Sequence, residues 1–231
     1  MTDTVPATAV AVLVLVDATS RLWAWARLVR GRRALRGTPG LRFCKVMGSG
    51  HEGGFGLKPS ASRGGLFCVF DDEASAQAFL EHSPTLADYR RHAREFCSVL
   101  LKPYASRGSW DGMSLTAAAA PPTEGPVAAL TRGSIHPLRA ASFWRMAPAA
   151  QVAVETAEGC RLGVGLGEAP LLRQATFSIW DSVPAMDAYA RHGAHLAAIH
   201  ASRRRGHFTE SMFVRFVPER LQGDWRGRHY A

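Results

Sequence analysis

The same order of elements occurs twice in this chain, on either side of a stretch rich in alanine and proline, and this constrains the fold more than any single motif does. Before Ala117–Pro126, hydrophobic patterning predicts strands at Val10–Val16, Leu41–Met47, Leu66–Phe70 and Phe96–Lys102. A helix over Ser20–Leu35 separates the first two strands, and helical pieces at Glu73–Leu80 and Ala87–Glu95 separate the last two. After it come strands at Val127–Thr131, Cys160–Leu166, Ala175–Trp180 and Met212–Val217, with helices over Pro137–Ala150 and from Pro184 to Gly206. Each half therefore reads β-α-β-β-α-β, the ferredoxin-like split unit. Phe70-Asp71 aligns with Trp180-Asp181, His82 with His192, and Trp110-Asp111-Gly112 with Trp225-Arg226-Gly227, which favours duplication over chance. The fold class expected is α+β, a tandem ferredoxin-like repeat with halves at 1–116 and 127–231 and a linker at 117–126. Its two antiparallel sheets would pack face to face around a shared pocket.

With 231 residues, 47% of them apolar, the chain has an ordinary core and is not a disordered protein. Cys44, Cys68, Cys97 and Cys160 are scattered singly with no C-x-x-C pair, which fits free thiols in a reducing cytoplasm better than a zinc ribbon or a disulfide framework. Val5–Val16 is apolar but lacks a basic flank and is too short to span a bilayer, so it reads as a first strand of a soluble, cytoplasmic protein.

The formal charge of +9 attracts polyanions in general, yet nothing in the chain specifies a nucleic acid. The one dense run, Arg27, Arg30, Arg32, Arg33 and Arg36, closes the first helix, whose inward face reads as Leu22, Trp23, Ala26 and Val29 or Arg30. A solvated basic face is the plain reading of that run. The functional reading is peripheral contact of Arg27–Arg36 with an anionic membrane surface, of use if the substrate is dissolved in lipid.

Chemistry is expected in the second half, where Gln174–Phe208 joins a strand, a turn capped by Ser182 and a long helix carrying His192, His195 and His200. The first half has Thr85 where the second has His195. His192 and His195 project from neighbouring positions, whereas His200 lies about 140° around the axis from His195, so one or two of the three can face a pocket. Zinc hydrolysis would want H-E-x-x-H or a partnering carboxylate cluster, a serine hydrolase G-x-S-x-G, and a phosphate loop a lysine and serine after its glycines; none is present. The glycines from Gly48 to Gly54 suit a mobile cover over a pocket. One neutral imidazole on a pocket-facing helix suits haem ligation, and a purely structural histidine suits the same pattern.

The residues Gly40-Leu41-Arg42-Phe43-Cys44-Lys45-Val46-Met47-Gly48-Ser49-Gly50, Gly53-Gly54-Phe55, Gly167-Glu168-Ala169-Pro170, Gln174-Ala175-Thr176-Phe177-Ser178-Ile179-Trp180 and Met186-Asp187-Ala188-Tyr189-Ala190 resemble the spheroidene monooxygenase family of carotenoid biosynthesis. The resemblance runs from Arg21 to Phe216 and implies a dimeric α+β barrel fold and a haem-containing oxygenase that introduces keto groups into acyclic carotenoids. It implies haem b, with His195 as the iron ligand and His200 or His192 as substitutes. Gln174 and Arg145 would bond bound oxygen or a haem propionate, and Phe143, Trp144 and Phe177 would line the cofactor. Electrons would come from an external donor such as a ferredoxin, because the chain carries no flavin or nicotinamide fingerprint. Arg173 and Cys44 depart from the family pattern, which leaves open a haem enzyme of secondary metabolism acting on a small nitrogen compound by N-oxidation or dehydration. A haem- or lipid-binding barrel without catalysis is the reading from a different class.

Overall fold

Every residue from Val10 to Ala18 is buried, because this strand has packed structure on both of its faces. The computed structural model describes residues 3–4, 8–54, 56, 58–146, 153–154, 156–169, 171–191 and 193–231, and the side chains at 3–4, 193–195, 198, 199 and 203 lie outside that description. Its strands are β1 (Asp3–Thr4), β2 (Val10–Ala18), β3 (Leu41–Gly50), β4 (Pro59–Phe70), β5 (Ala93–Gly108), β6 (Met113–Ser114), β7 (Val127–Ile135), β8 (Cys160–Ala169), β9 (Arg173–Trp180), β10 (Phe208–Trp225) and β11 (Arg228–Tyr230). The helices are α1 (Arg21–Arg30), α2 (Glu73–His82), α3 (Pro84–His92), α4 (Ala140–Trp144), α5 (Val183–Arg191) and α6 (Gly193–Arg205).

β1 and β6 form a small parallel ribbon of their own. The other strands run in the order β11-β10-β5-β2-β4-β3-β8-β9-β7, all antiparallel, and β7 pairs back onto β10. Eight strands thus close into a barrel, with β11 outside the ring. Within each half the spatial order is fourth, first, third, second strand. The long β10 joins the halves, pairing with β5 on one side and β7 on the other.

Alternation along the strands decides what faces inward. Leu13 and Leu15, Phe67 and Val69, Val99 and Leu101, Leu130, Val164 and Leu166, Phe177 and Ile179, and Val214 and Phe216 fill the barrel as one cluster. The tight turns Trp110-Asp111-Gly112 and Trp225-Arg226-Gly227 share a backbone: φ is 50° and 78° at Asp111 and Gly112, and 53° and 73° at Arg226 and Gly227. Both tryptophans are fully buried in the barrel cluster.

The ring is thinnest between β3 and β8, where among the described residues only Gly48 with Gly167 and Ser49 with Leu166 are in register. Ser49 Oγ donates to the Gly165 carbonyl at 2.7 Å across this seam. The glycine-rich stretch expected to be a mobile cover is, as far as Gly53, part of the wall. Gly48–Gly50 end β3, and His51–Gly53 is a 3-10 turn with Gly53 buried against Val164 and Trp225. Gly50 tolerates no side chain, since a Cβ there would fall 2.2 Å from the Gly54 carbonyl oxygen.

Two helix expectations change in detail. The helix from Ser20 keeps its serine cap to Trp23 but ends at Gly31, whose φ of 49° turns the chain into a 3-10 segment, Gly31–Leu35. Its inward face is also different. Trp23 and Arg27 face the protein, Trp23 stacking on His92 and meeting Tyr89 edge-on, and Arg27 pairing with Asp88 at 3.0 Å. Leu22 and Val29, expected inward, are 82% and 63% exposed. The Arg27 guanidinium lies 5.0 Å from the Trp23 ring centroid, so its stem covers apolar surface while its head pairs with Asp88. The helix expected over Pro137–Ala150 is a 3-10 turn, Pro137–Arg139, followed by the short α4, and its last residues fall outside the described ones.

Candidate functional site

The outward faces of the two half-barrels carry opposite kinds of residue. In the first half, the rows Leu100–Val12–Cys68–Cys44 and Ser98–Val14–Leu66–Val46 are filled with branched and sulfur-bearing side chains. Leu35, Phe79, Leu80, Leu86 and Tyr89 pack down on them and bury them. In the second half the register sets Arg215–Ala129–Ser178–Gly163 in one row, Phe213–Thr131–Thr176–Gly165 in the next, and Ser211–Gly133–Gln174–Gly167 in the third. From β7 to β8 no side chain of these rows is larger than threonine except Gln174. Ala129, Thr131, Thr176, Ser178, Gly163 and Gln174 are half-buried, although the barrel-facing residues between them are buried. Glycine is depleted from strands, so alternate glycines at 163, 165 and 167 mark a surface that something approaches closely.

Both ends of this face are walled. At one end Trp180 stacks on Tyr189 of α5 at 4.9 Å and Met186 is buried beside it. Asp187 of α5 is held by Arg215 of β10 at 2.8 Å. Ser182 caps α5 through the Ala185 N–H, as its place before Pro184 predicts. At the other end Phe208 turns over Gly133, where a Cβ would meet its ring at 2.4 Å. Phe143 of α4 packs edge-on against Phe208, and Trp144 donates its Nε1–H to the Leu171 carbonyl at 2.8 Å. α6 runs between the two ends: it follows α5, and its Ser202 bonds His207 next to β10. A cavity of about 310 Å³ adjoins the first row at Gly163 and is lined also by Val154, Cys160 and Trp225.

The expected site residues distribute as follows. His195 is the third residue of α6, and its side chain lies outside the described residues, as does the whole of His192. His200 is exposed. His207 is fully buried with both ring nitrogens engaged, Nδ1 by Ser202 and Nε2 by Ser142 at 2.8 Å, which makes it a structural histidine. Gln174 lies on the small-residue face, Phe143 and Trp144 stand at its end, and Arg145 is exposed at the C-terminus of α4. Phe177 is a correction: adjacent strand residues point to opposite faces, so it is buried inside the barrel and shares no surface with Gln174, Thr176 and Ser178. Among the described residues no group of three His, Cys, Asp or Glu side chains is placed to hold a metal.

A second constellation, absent from the sequence reading, seals the barrel beneath the third row. Arg132, with its side chain fully buried, pairs with Glu210 and approaches Asp111 at 3.4 Å and Glu168 at 3.6 Å. Lys45 pairs with Asp111 and reaches Glu168 at 2.6 Å, and Trp110 donates its Nε1–H to Glu168 at 2.7 Å. Glu210 also accepts from Ser109 Oγ at 2.9 Å and the Gly112 N–H at 3.0 Å. Burial raises the Glu210 pKa, but the Gly112 and Asp111 N–H groups, Ser109 and Arg132 outweigh it and hold the carboxyl at about 2. The network takes Lys45, Trp110 and Asp111 from one half and Arg132, Glu168 and Glu210 from the other, and so binds the halves together.

A closed antiparallel barrel with helices outside it and a face of small residues on β7, β8 and β9 defines an α+β barrel protein. Its fold is similar to that of an aldoxime dehydratase, OxdRE in complex with butyraldoxime, with a TM-score of 0.62 at 11% identity over 99% of this chain and 86% of that one. No family model matches the chain. It is 56% identical to spheroidene monooxygenase of Rubrivivax gelatinosus, over 99% of this chain and 91% of the relative. It is 36% identical to spheroidene monooxygenase of Rhodobacter capsulatus, over 92% and 90%. The chain belongs to the spheroidene monooxygenase family.

Proposed function

We propose that this chain is a haem-dependent carotenoid monooxygenase that holds haem b in the cleft on the outer face of β7, β8 and β9, with His195 of α6 as iron ligand. The observation that carries the location is the alternation of Gly163, Gly165 and Gly167 opposite Ser178, Thr176 and Gln174, a flat floor a planar ring can approach closely. Bound there, haem would supply the activation of dioxygen. The chain supplies the rest. Gln174 offers an amide at the third row, Phe143, Trp144 and Phe208 close one end with apolar surface, and Arg145 offers a charge to a carboxylate at the rim. One oxygen atom of O2 enters a C–H bond of an acyclic carotenoid to give a hydroxy product, and the other leaves as water with two protons and two electrons from an external donor such as a ferredoxin. A second turn on the same carbon and loss of water give the ketone.

The test is spectroscopic and then chemical. Protein produced with haem in supply should show a Soret band and one iron per chain. Gly163→Val combined with Thr176→Leu, which puts branched side chains on the floor, should lose that band with an unchanged circular dichroism spectrum. With spheroidene and a reduced ferredoxin, oxygen-18 from O2 should appear in the product. A wild-type protein without a Soret band would end the haem reading, and a filled floor that still binds haem would end this location.

We also infer that the chain arose by duplication and that 1–116 and 127–231 are one folding unit joined by 117–126. The shared strand order and the paired Trp-x-Gly turns support this. A chain ending near Ala120 would expose the barrel lining as a large apolar patch and is expected to aggregate, as seen by light scattering. Separate halves that stay monomeric and melt cooperatively would contradict it.

A further inference from the structure

We propose that α1 and the 3-10 turn after it form a docking surface for an anionic lipid bilayer. Leu22, Trp25, Leu28 and Val29 are 82%, 65%, 43% and 63% exposed, and at 100° per residue they lie within an arc of about 120° on the side of α1 away from the protein. Four of the seven large hydrophobic side chains exposed on the described surface are therefore on this one helix. Around this ridge stands a collar of charge. From Ala18 to His51 the sequence holds eight lysines and arginines and no aspartate or glutamate. Arg21, Arg30, Arg32, Arg33 and Arg36 are exposed, and among the described residues none of them is paired with a carboxylate. Arg30, Arg32, Arg33 and Arg36, with Arg42, line a cavity of about 510 Å³ suited to a phosphate-bearing headgroup. Arg27 is not part of this surface, because it is turned inward to Asp88.

A helix with an apolar ridge carrying tryptophan and a cationic rim lies in the interface of an anionic membrane, its ridge among the acyl chains and its arginines at the phosphates. The ridge also borders the cleft. Leu28 lies 3.7 Å from where a Cβ on Gly48 would be, Gly48 pairs with Gly167, and Gly167 continues into the row of Gln174 and Gly133. Leu171 and Leu172, exposed by 50% and 37%, sit in the turn that follows that row. An apolar substrate leaving the bilayer at α1 thus meets the β3–β8 seam at the mouth of the cleft. The docking surface stands on exposure and charge alone; only its purpose, delivery of a lipid-dissolved substrate, rests on the function proposed above.

The test uses the full chain and no activity, so its failure is separate from failure of the haem reading. Wild type should float with vesicles of phosphatidylcholine mixed with phosphatidylglycerol, less so as salt is raised, and not with phosphatidylcholine alone. Leu22→Ser, Trp25→Ser and Val29→Ser together should weaken partition by about tenfold or more through the lost apolar area, and Arg32→Glu with Arg33→Glu should do the same through charge. Arg204→Glu with Arg205→Glu, on an unrelated surface, should have little effect. All three variants change exposed side chains and should keep the wild-type melting temperature. Absence of binding to the anionic vesicles, wild-type binding by the ridge variant, or equal loss in the Arg204 and Arg205 variant would each overturn the proposal, the last two by reducing it to general cationic adhesion.

Discussion

Arg132→Leu is expected to lower the free energy of unfolding at neutral pH by about 3 kcal/mol, because it strands carboxylates that have a buried guanidinium as partner. The Arg132 side chain is fully buried, and those of Glu168 and Glu210 are 13% and 25% exposed. Leucine restores much of the volume but none of the charge, so packing loss is a minor part of the effect. Lys45 can still serve Glu168 and Asp111, whereas Glu210 loses its cationic partner and keeps neutral donors such as Ser109 and the Gly112 N–H. The pH dependence separates this cause from simple loss of fit. A carboxylate held at about 2, against an ordinary 4.5, contributes stability that is present above pH 4.5 and is lost as pH falls toward 2. Part of that contribution depends on Arg132, so the gap between variant and wild type should narrow across this window in chemical denaturation. A gap that stays constant from pH 7 to 2.5 would assign the destabilisation to packing. Replacing Glu210 with glutamine should remove most of the same acid limb.

His195→Ala is expected to abolish stoichiometric haem retention in protein supplied with haem, while the circular dichroism spectrum and melting temperature of the haem-free chain stay near wild type. The family resemblance implies His195 as the ligand, and at the haem site proposed above its exchange would remove that ligand and leave the barrel strands untouched. His200 is exposed and about 140° around the helix from His195, so His200→Ala should retain the wild-type spectrum. Retention of the Soret band by His195→Ala together with its loss in His192→Ala or His200→Ala would move the ligand without touching the haem class.

Much of the fold was legible because it is written in local periods. Alternation at Thr176–Trp180 and the serine caps at Ser20 and Ser182 mark elements from neighbouring residues alone, and the recurrence of the element order follows from them. Gly163, Gly165 and Gly167 were equally visible, but alternate glycines gain meaning only when Ser178, Thr176 and Gln174 are known to stand opposite. α1 misled in the other direction: leucine and valine at helical spacing read as an inward face, whereas the Arg27 stem and its bond to Asp88 oriented the helix the other way. Phe177 alternates with Thr176 and Ser178 in residue type and in burial, and that alternation sets it on the other side of the sheet from them.

The sequence by itself determined the barrel strands, the α+β class and the family, all properties of residues near one another in the chain or of the chain as a whole. Tertiary structure alone decided the closure of the barrel through β10, the contrast between an outer face of bulky side chains and one of small residues, and the network of Lys45, Asp111, Arg132, Glu168 and Glu210. Lys45 and Glu168 are separated by 123 residues, and each sits in a strand that gives no local sign of its partner. Cross-strand register puts such residues together, and register between distant strands is a property of the closed sheet, not of any stretch of sequence.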